Sequence, residues 1–439
     1  MDRRDFIKGA GLTIGAGLAG SLEASAHMRG VPASDRISIA LIGCNGRGGD
    51  HIAGLTDLPG AEITYICDVD SRAIDKGIAA ASKKQANAPK PQKDFRKVLA
   101  DPSVDAVTIA TPDHWHSPMG ILALAAGKHV YIEKPLSQNP HEGELVMAAE
   151  QKYKKTAMMG VQRRSFPNLQ QGIKEIHEGI IGKAYFARTW YTNSRASIGT
   201  GNAAPVPEWL DYELWQGPAP RKPFHDNLIH YNWHWFWNWG AGEALNNGTH
   251  EVDVARWALD VNYPVRAAST GGRYQWQDDW QTADTQIISL DYPEGKTISW
   301  EGRSCCGFNS EGLDRGVMVY GTEGAALLDS NTYRIYDKKK KLVKEVVDAN
   351  DSTNPLSAKG RSGDKMHLTN FLECIRTGKK PNCPIEEGHK TVVGLHLGNI
   401  AWRVHRELHC DGANGHITAD AEASKLWSRA YEPGWEPKV

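Results

Sequence analysis

A glycine-rich loop near the amino terminus has the residue types that bind a pyrophosphate. The loop Gly43-Cys44-Asn45-Gly46-Arg47-Gly48-Gly49 follows an apolar run at residues 37–42 and precedes a helical pattern at residues 50–58. Free backbone amides at the start of a helix attract phosphate oxygens. In the pattern G-x-G-x-x-G the middle position is Asn45, and we expect Asn45 and Gly46 to tolerate the positive φ that such a loop needs.

A carboxylate follows the second apolar run at the spacing expected for ribose recognition. Residues 61–67 read as a buried strand, and Asp68 comes directly after it. A carboxylate in this place accepts a hydrogen bond from the adenosine ribose and repels a 2′-phosphate. The loop and the carboxylate together predict an NAD site. NADP is the weaker alternative, which Arg72 keeps open.

The elements that must position these residues alternate regularly over residues 36–160. Strands are predicted at residues 106–110, 130–133 and 157–160, and helices at residues 71–84, 95–100, 117–127 and 141–154. This alternation predicts a doubly wound parallel sheet, in which ligands bind at the carboxyl ends of the strands. The predicted loops at that edge carry Thr111, Pro112, His114, His116, Glu133, Lys134, Gln162 and Arg163.

The first residues read as a twin-arginine export signal. Arg3 and Arg4 precede a weakly apolar stretch, residues 9–22, and Ala24-Ser25-Ala26 fits a cleavage site. A membrane anchor is disfavoured because a spanning helix needs about 20 strongly apolar residues and Glu23 ends this stretch. We expect a signal peptide at residues 1–26, a linker at 27–35 and a periplasmic protein.

The composition excludes several classes of protein. The chain of 439 residues carries 51 basic and 52 acidic residues, which argues against a nucleic-acid or membrane-surface partner. Its seven cysteines are odd in number and show no metal-binding spacing, so no metal site is expected. The run Lys338 to Lys341 is interpreted as a solvated hairpin turn.

Several motifs together resemble the Gfo/Idh/MocA family of oxidoreductases. They are the glycine loop, Asp68, Thr111-Pro112-Asp113-His114-Trp115-His116, Glu133-Lys134-Pro135-Leu136 and the glycine-rich residues 240–253. The resemblance covers nearly all of residues 36–435, and the leader and the tryptophan-rich middle are similar to exported members that act on glycosides. It implies an α/β fold with a Rossmann domain at 36–160 and an α+β domain at 161–439. The second domain would have an open, mostly antiparallel sheet and mediate homo-oligomerisation as a dimer or tetramer.

The resemblance also implies roles for individual residues. It places Lys134 beside the nicotinamide and the reacting hydroxyl, with Pro135 after a cis peptide bond, and burial of the lysine would lower its pKa towards the range for proton transfer. His250 matches the substrate-facing histidine of the family, which can take the hydroxyl proton. Gln162 and Arg163 would hold the nicotinamide or the substrate.

One position departs from the family pattern. Four residues before the histidine the family commonly has Asp, whereas this chain has Asn246, which cannot stabilise an imidazolium as a carboxylate does. Glu243, Glu251 or Asp253 would then supply the charge, or Lys134 would act as the base alone. The sequence leaves these alternatives open.

The chain has 15 tryptophans, and four of them alternate with polar or aromatic residues at residues 233–239. In an extended strand their rings would share one side, where indole faces stack on sugars. We expect Trp235 and Trp237 to contact a sugar, together with Arg163, Asn246, His250 and Asp253. The alternative is that these indoles form core or a subunit interface, and we expect both uses. His367 resembles a further family position near the active site.

These features predict an NAD-dependent oxidoreductase that moves a hydride to or from a secondary hydroxyl of a sugar or glycoside, at C3. The NAD should be tightly held, because a periplasm offers no ready supply of it. The alternative is a redox-neutral NAD-dependent glycosidase, in which oxidation, elimination, water addition and reduction follow one another. A nucleotide-bound sugar-binding protein without turnover is the lesser alternative.

Overall fold

The computed structural model describes residues 36–293, 295–347 and 361–439, so the predicted leader and linker lie outside the described residues. Within them, the first sheet has six parallel strands in the order β3-β2-β1-β4-β5-β6. The strands are β1 (Ile37–Ile42), β2 (Ala61–Cys67), β3 (Lys90–Gln92), β4 (Ala106–Ile109), β5 (His129–Glu133) and β6 (Ala157–Gly160). The predicted doubly wound sheet is confirmed. The short edge strand β3 was missed because it is polar and contains a proline.

Five helices connect these strands: α1 (Arg47–Leu55), α2 (Ser71–Ala81), α3 (Phe95–Leu99), α4 (Asp113–Ala125) and α5 (Pro140–Tyr153). Helix α4 begins four residues before its predicted start, residue 117, and carries Pro118 inside it. A proline removes the amide that would bond the carbonyl four residues earlier. That carbonyl, of His114, instead accepts a hydrogen bond from Arg429 Nη2 at 2.8 Å, which explains how the helix passes the proline.

The second sheet, in the described part of the chain, has nine strands in the order β14-β13-β12-β11-β7-β10-β9-β8-β15. They are β7 (Ala184–Thr192), β8 (Arg266–Gly272), β9 (Thr285–Tyr292), β10 (Lys296–Arg303), β11 (Arg315–Gly321), β12 (Gly324–Asp329), β13 (Thr332–Asp337), β14 (Leu342–Val346) and β15 (Leu408–His409). Neighbours are antiparallel except β7 and β10, which confirms a mostly antiparallel sheet. The lysine run forms the turn between β13 and β14, as predicted.

Further helices pack on this sheet or return to the first one. They are α6 (Pro167–His177), α7 (Tyr212–Gln216), α8 (Gly242–Asn246), α9 (Gly248–Leu259), α10 (Arg361–Thr377), α11 (Ile385–Val404) and α12 (Ala421–Ser424), with 3₁₀ turns at Gln162–Ser165, Asn232–Trp235 and Lys425–Trp427. Helix α9 lies against β7, β10 and β11, and α11 lies against β8 and β9. Helix α10 instead packs on α1 beside the first sheet. A late part of the chain therefore completes the surroundings of the glycine loop.

Three further properties concern the described residues alone. None of their helices is both long and apolar enough to cross a bilayer. No group of three or more metal-ligating side chains is found among them. All seven cysteines lie among them and are unpaired; Cys305 is half-buried and Cys306 is exposed.

Candidate active site

A cavity of about 590 Å³ lies where β1, β2, β4, β5 and β6 end, and residues of the second sheet complete its wall. This volume is in the range of small-molecule and cofactor sites. The lining contains most of the predicted site residues: Gly43, Asn45, Gly46, Arg47, Asp68, Thr111, Pro112, His116, Glu133, Lys134, Gln162, Arg163, Asn246 and His250. The fold therefore brings the glycine loop and Asp68 into one cavity with Lys134, Asn246 and His250.

The glycine loop meets its conformational demands at positions that differ from those expected. Positive φ occurs at Gly43 and at Gly46, 83° and 45°, and not at Asn45. Gly43 also lies against the end of β4, where a Cβ would approach Ala110 O to 2.6 Å. A Cβ on Gly48 would collide with the Gly43 carbonyl oxygen, so Gly48 lets α1 close on the loop. The prediction that Gly48 contacts the cofactor is corrected, because it lies outside the lining.

Asp68 stands at the end of β2 with room for a further hydrogen bond. Its carboxylate accepts from the backbone amides of Cys44 at 2.7 Å and Asp70 at 3.0 Å, and burial raises its pKa. A carboxylate has about four acceptor positions, so two remain. Arg72 is bound to Asp70 through Nε at 3.1 Å and Nη2 at 2.9 Å and is not part of the lining.

An ion-pair network joins the glycine loop to the motif before Lys134. Arg47 Nη2 lies 2.8 Å from Glu133 and 2.7 Å from Asp364, which belongs to α10. Burial alone would raise the pKa of Glu133, but Arg47 and His51 hold it well below its usual range. Asp364 follows Arg47 by 317 positions in the sequence, so no local pattern could have indicated this partner.

Lys134 faces the cavity in a fixed orientation. Its Nζ donates to the backbone oxygen of Asn246 at 2.7 Å and to Asn246 Oδ1 at 2.8 Å. The Lys134–Pro135 peptide bond is cis, as the resemblance implied. Burial lowers the pKa of Lys134, and the carboxylates of Glu133 and Asp113 oppose that decrease. The result is an ammonium whose proton is more easily lost than that of an exposed lysine.

Glu243 is the carboxylate that reaches Lys134 through Asn246. It accepts from Asn246 Nδ2 at 3.2 Å, contacts Asn247 Nδ2, and pairs with Arg195 Nε at 2.7 Å. Its charge raises the pKa of Lys134. Of the alternatives left open by the sequence, Glu243 therefore supplies the nearby charge, although it acts on the lysine and not on the histidine.

His250 lies in the first turn of α9 and lines the cavity. Burial lowers its pKa well below the usual value, and the charges of Arg315, Lys134 and Arg163 add to that decrease. No side chain in the described ranges hydrogen-bonds its ring. A neutral imidazole with free nitrogens can bind a ligand hydroxyl; the charge of Glu133 opposes the decrease in pKa but does not reverse it.

Two other candidate carboxylates and two histidines have structural partners instead. Asp253 is bound by Arg164 at 2.8 and 2.9 Å, is buried, and lies outside the lining, so its predicted contact with substrate is corrected. Glu251 pairs with Arg315 at 2.8 Å.

His114 also lies outside the lining. Its Nε2 bonds the backbone oxygen of Trp215 at 2.8 Å, so the prediction that His114 binds the cofactor is wrong. His367 is held between Ser165 and Met159, and it lies close to Glu133 and Asp364 of the lining without belonging to the lining itself.

The tryptophan run does not form an extended strand. Residues Asn232–Trp235 form a 3₁₀ turn, so the rings do not share one side. Trp235 is buried and stacks on Trp280 with 3.8 Å between ring centroids, and Trp237 lies under Arg403 outside the cavity. The predicted sugar contacts of Trp235 and Trp237 are therefore corrected. Large apolar rings favour burial, and that preference prevails here.

Several lining residues had not been predicted as site residues. They lie at the end of β7, in the segment before α8, in α7, after α8 and in β11, and they are Tyr191, Asn193, Arg195, Trp215, His230, Tyr231, Trp233, His234, Asn247 and Arg315. The only sequence signal for them was the richness of that segment in Trp, Tyr and His. Their polar and aromatic character suits a ligand with many hydroxyls.

Asp113, which lines the cavity, gives a test of the site's electrostatics. Burial raises its pKa to about 7, and Lys134 opposes the increase. The native state then keeps this proton up to about pH 7, whereas the unfolded chain loses it near 3.8, so the wild type loses stability as the pH rises between these values. Asp113→Asn removes this loss. The free energy of unfolding of Asp113→Asn, relative to that of the wild type, should therefore be about 3 kcal/mol higher at pH 8 than at pH 5.

Denaturant unfolding at the two pH values measures this difference. Asp94→Asn is the control, because Arg96 lowers the pKa of Asp94 and its removal should have the opposite pH dependence. An Asp113→Asn gain that is equal at both pH values would show that the carboxyl is not protonated in the fold.

Comparison with known proteins agrees with this geometry. Residues 37–161 match the family model described as "Oxidoreductase family, NAD-binding Rossmann fold", and residues 188–437 match the one described as "Oxidoreductase family, C-terminal alpha/beta domain". A glycosyl hydrolase family 109 protein of Shewanella sp. (strain W3-18-1) is 28% identical over 219 residues, 44% of this chain and 46% of that protein. One from Saccharopolyspora erythraea is 31% identical over 196 residues, 42% and 41%. The chain thus spans less than half the length of these relatives.

Solved structures share the fold across most of the chain. An aldose-aldose oxidoreductase from Caulobacter crescentus, complexed with glycerol, has a TM-score of 0.65 at 17% identity over 85% of this chain and 99% of that one. The WlbA dehydrogenase from Bordetella pertussis, in complex with NADH and UDP-GlcNAcA, has a TM-score of 0.63 at 20% identity over 86% and 99%. The two family models together cover most of the sequence, and the chain belongs to the Gfo/Idh/MocA family of NAD-binding oxidoreductases.

Proposed function

We propose that this protein is an NAD-dependent oxidoreductase that transfers a hydride to or from a secondary hydroxyl, at C3, of a sugar or glycoside. The observation that carries the proposal is Lys134, fixed by Asn246 in the same cavity as the glycine loop and Asp68. When bound there, NAD supplies the hydride acceptor or donor.

The residues present fit a dinucleotide. Gly43 and Gly46 let the backbone turn next to the cavity, and Asp68 keeps free acceptor positions. Thr111 Oγ1 and Asp113 Oδ2 are buried in the lining and have no hydrogen-bond partner among the described residues. Buried polar atoms are normally paired, so these atoms are consistent with a polar ligand.

The chain's own residues can bind the hydroxyl and move its proton. Lys134 in its neutral form accepts the hydroxyl proton at Nζ, and its lowered pKa makes that form accessible. Asn246 orients the amine through two acceptors. The neutral ring of His250 binds the same or a neighbouring hydroxyl.

The test begins with the purified full chain. Denaturation should release NAD, and a screen of glycosides should give a 3-keto product. The proposal fails if the folded protein neither contains nor binds a nicotinamide dinucleotide, or if no sugar is oxidised or transformed.

Asp68 should decide the preference for NAD over NADP. Asp68→Asn keeps an acceptor for the Cys44 amide but removes the charge that repels a 2′-phosphate. We expect the ratio of the NADP Kd to the NAD Kd to fall by about tenfold, which corresponds to about 1.4 kcal/mol. Displacement of NADH and NADPH, followed by their fluorescence, with NAD and NADP as competitors measures both constants.

Asp101→Asn is the matched control for this change. Asp101 accepts the amide of the residue two positions later, Ser103, at 2.8 Å, as Asp68 does with Asp70, but Asp101 is not in the cavity lining. The control should leave the ratio unchanged. An unchanged ratio in Asp68→Asn as well would contradict the assignment of the ribose site.

A redox-neutral glycosidase is the second candidate, favoured by the names of the curated relatives. In that reaction the C2 proton becomes acidic once C3 is a carbonyl, the glycosidic bond breaks by elimination, water adds, and C3 is reduced again. Deuterium from solvent at C2 of the released sugar, with no net NADH, would support this cycle. Accumulation of a 3-keto product without glycoside cleavage would instead support the dehydrogenase.

Export, tight cofactor binding and oligomerisation are parts of the same proposal. The twin-arginine pattern of residues 1–26 supports a periplasmic location, and that route carries folded proteins. A protein exported with its NAD must keep it. Cell fractionation with and without a functional twin-arginine system tests the location, and light scattering tests for the expected dimer or tetramer.

A further inference from the structure

The segment at residues 193–241, which joins β7 to α8, is bound by its backbone to the loop that follows β2. Asp211 N donates to Val69 O at 3.0 Å, and Ser71 N donates to Trp209 O at 3.0 Å. Asp70 and Leu210 form a bridge between the same two stretches. A part of the second domain thus adds a short antiparallel pairing beside Asp68.

Side chains strengthen this attachment. His230 Nε2 lies 2.9 Å from Asp70 Oδ2, and the Arg72 guanidinium lies 3.4 Å from the centroid of the Trp209 ring. Asp70 is also the N-cap of α2 and accepts from Arg72 N at 2.9 Å. The attachment therefore involves the same loop that presents Asp68 to the cavity.

The segment is fixed a second time, at the first turn of α4, which follows β4. His114 N donates to Trp239 O at 3.1 Å, and Trp115 Nε1 donates to Trp215 O at 3.0 Å. Between the two attachments, Leu214, Trp215, His230 and Trp233 line the cavity. The segment therefore connects the ends of β2 and β4 and forms one side of the cavity between them.

The segment also has a core of its own, so this wall is preformed. Its buried cluster consists of Leu210, Tyr212, Trp215, Ala219, Leu228, Trp233 and Trp239. Trp215 stacks on Tyr212 with 5.6 Å between centroids, and Val69 of the first domain packs against the cluster. Large aromatic rings of this kind give a rigid surface with little conformational freedom.

We infer that residues 193–241 form the outer wall of the adenosine site and retain the dinucleotide in the folded protein. This inference rests on the proposed function. The lining tryptophans of the segment, Trp215 and Trp233, then contact the cofactor rather than the sugar. Release of NAD requires the contacts to Asp70 and Val69 to open. NAD therefore dissociates more slowly than it would from a site without this segment, and the dissociation rate mainly sets the affinity.

The test compares the release of the dinucleotide from three forms of the full chain. Arg72→Ala/His230→Ala removes both side-chain attachments. The control, His177→Ala, removes a histidine hydrogen bond of the same length, 2.9 Å to Trp257 O, outside the cavity lining. We expect the double variant to lose NAD on dialysis and to release NADH at least about tenfold faster than the wild type. The His177→Ala protein should match the wild type.

A second measurement covers the case in which the double variant does not fold. Hydrogen exchange of the wild type should slow at the amides of Ser71 and Asp211 when NAD is restored to stripped protein. Unchanged release in a folded double variant, or unchanged exchange on NAD binding, overturns the inference. A wild type that binds no dinucleotide overturns the proposed function instead, so the two failures are distinguishable.

Discussion

Replacing Lys134 with alanine is expected to lower kcat by about a thousandfold and to leave the fold and the bound dinucleotide in place. Proton transfer by a positioned side chain contributes about 10² to 10⁴ in rate, and Lys134 is a cavity residue whose pKa is lowered by burial. The variant removes Nζ from two hydrogen bonds to Asn246 and no ion pair. Formation of the 3-keto product, or of the hydrolysed glycoside, measures the loss.

The chain offers a closely matched control for this change. Lys128 is also buried, and its Nζ also donates to two carbonyl oxygens, those of Asp101 at 2.7 Å and Val104 at 2.8 Å, but it lies outside the cavity. Lys128→Ala should cost stability and leave kcat unchanged. Turnover near the wild-type level in Lys134→Ala would remove the lysine from the chemistry. A loss of turnover in a folded Lys134→Ala protein would instead rule out the alternative that the protein binds a nucleotide and a sugar without turnover.

The parts of the fold and site that the sequence predicted are those set by neighbouring residues. The bounds of β1, β2 and β6 agree with the apolar runs, because a buried parallel strand reads as a continuous apolar stretch. The glycine loop and Asp68 sit directly after such strands, so placing the strands also placed them. Lys134 and His250 came from motifs that the family shares, and they face the same cavity.

The parts that were missed depend on contacts between distant residues. The partners Arg47 and Asp364 lie far apart in the sequence, and the lining residues Tyr191 of β7 and Arg315 of β11 lie far from the glycine loop. The alternation at residues 233–239 suggested a strand, but burial of the rings in their own cluster selected a 3₁₀ turn. Asp253 had the right position on α9, yet Arg164 occupies both of its oxygens.

Replacement of Glu243 should affect both stability and rate. Glu243→Ala leaves the guanidinium of Arg195, whose side chain is 14% exposed, without its carboxylate, and breaking such a largely buried pair costs about 3 kcal/mol. It also frees Asn246, whose oxygen atoms hold Lys134. Displacement of a catalytic group by about 1 Å can cost about a hundredfold in rate, and we expect a decrease in kcat of that size.

Glu243→Gln separates the charge of Glu243 from its geometry. Glutamine keeps an acceptor for Asn246, but the negative charge that raises the pKa of Lys134 is gone. The pKa of Lys134 then falls, its neutral form is present at lower pH, and the acid limb of the pH profile of kcat for sugar oxidation should move to lower pH. A purely structural role for Glu243 would reduce the rate without moving this limb.

The direction of that movement also tests which group is the base. Glu175→Gln, on α6, changes an ion pair with Lys344 outside the lining and should not move the limb. If Glu243→Gln left the limb in place while Lys134→Ala abolished turnover, the proton would be taken by another group and Lys134 would only orient the hydroxyl. Burial holds the pKa of His250 well below its usual value, and the charges of Arg315 and Lys134 add to that decrease, so a limb set by His250 would lie at more acidic pH than one set by the lysine. The position of the limb therefore distinguishes the two residues.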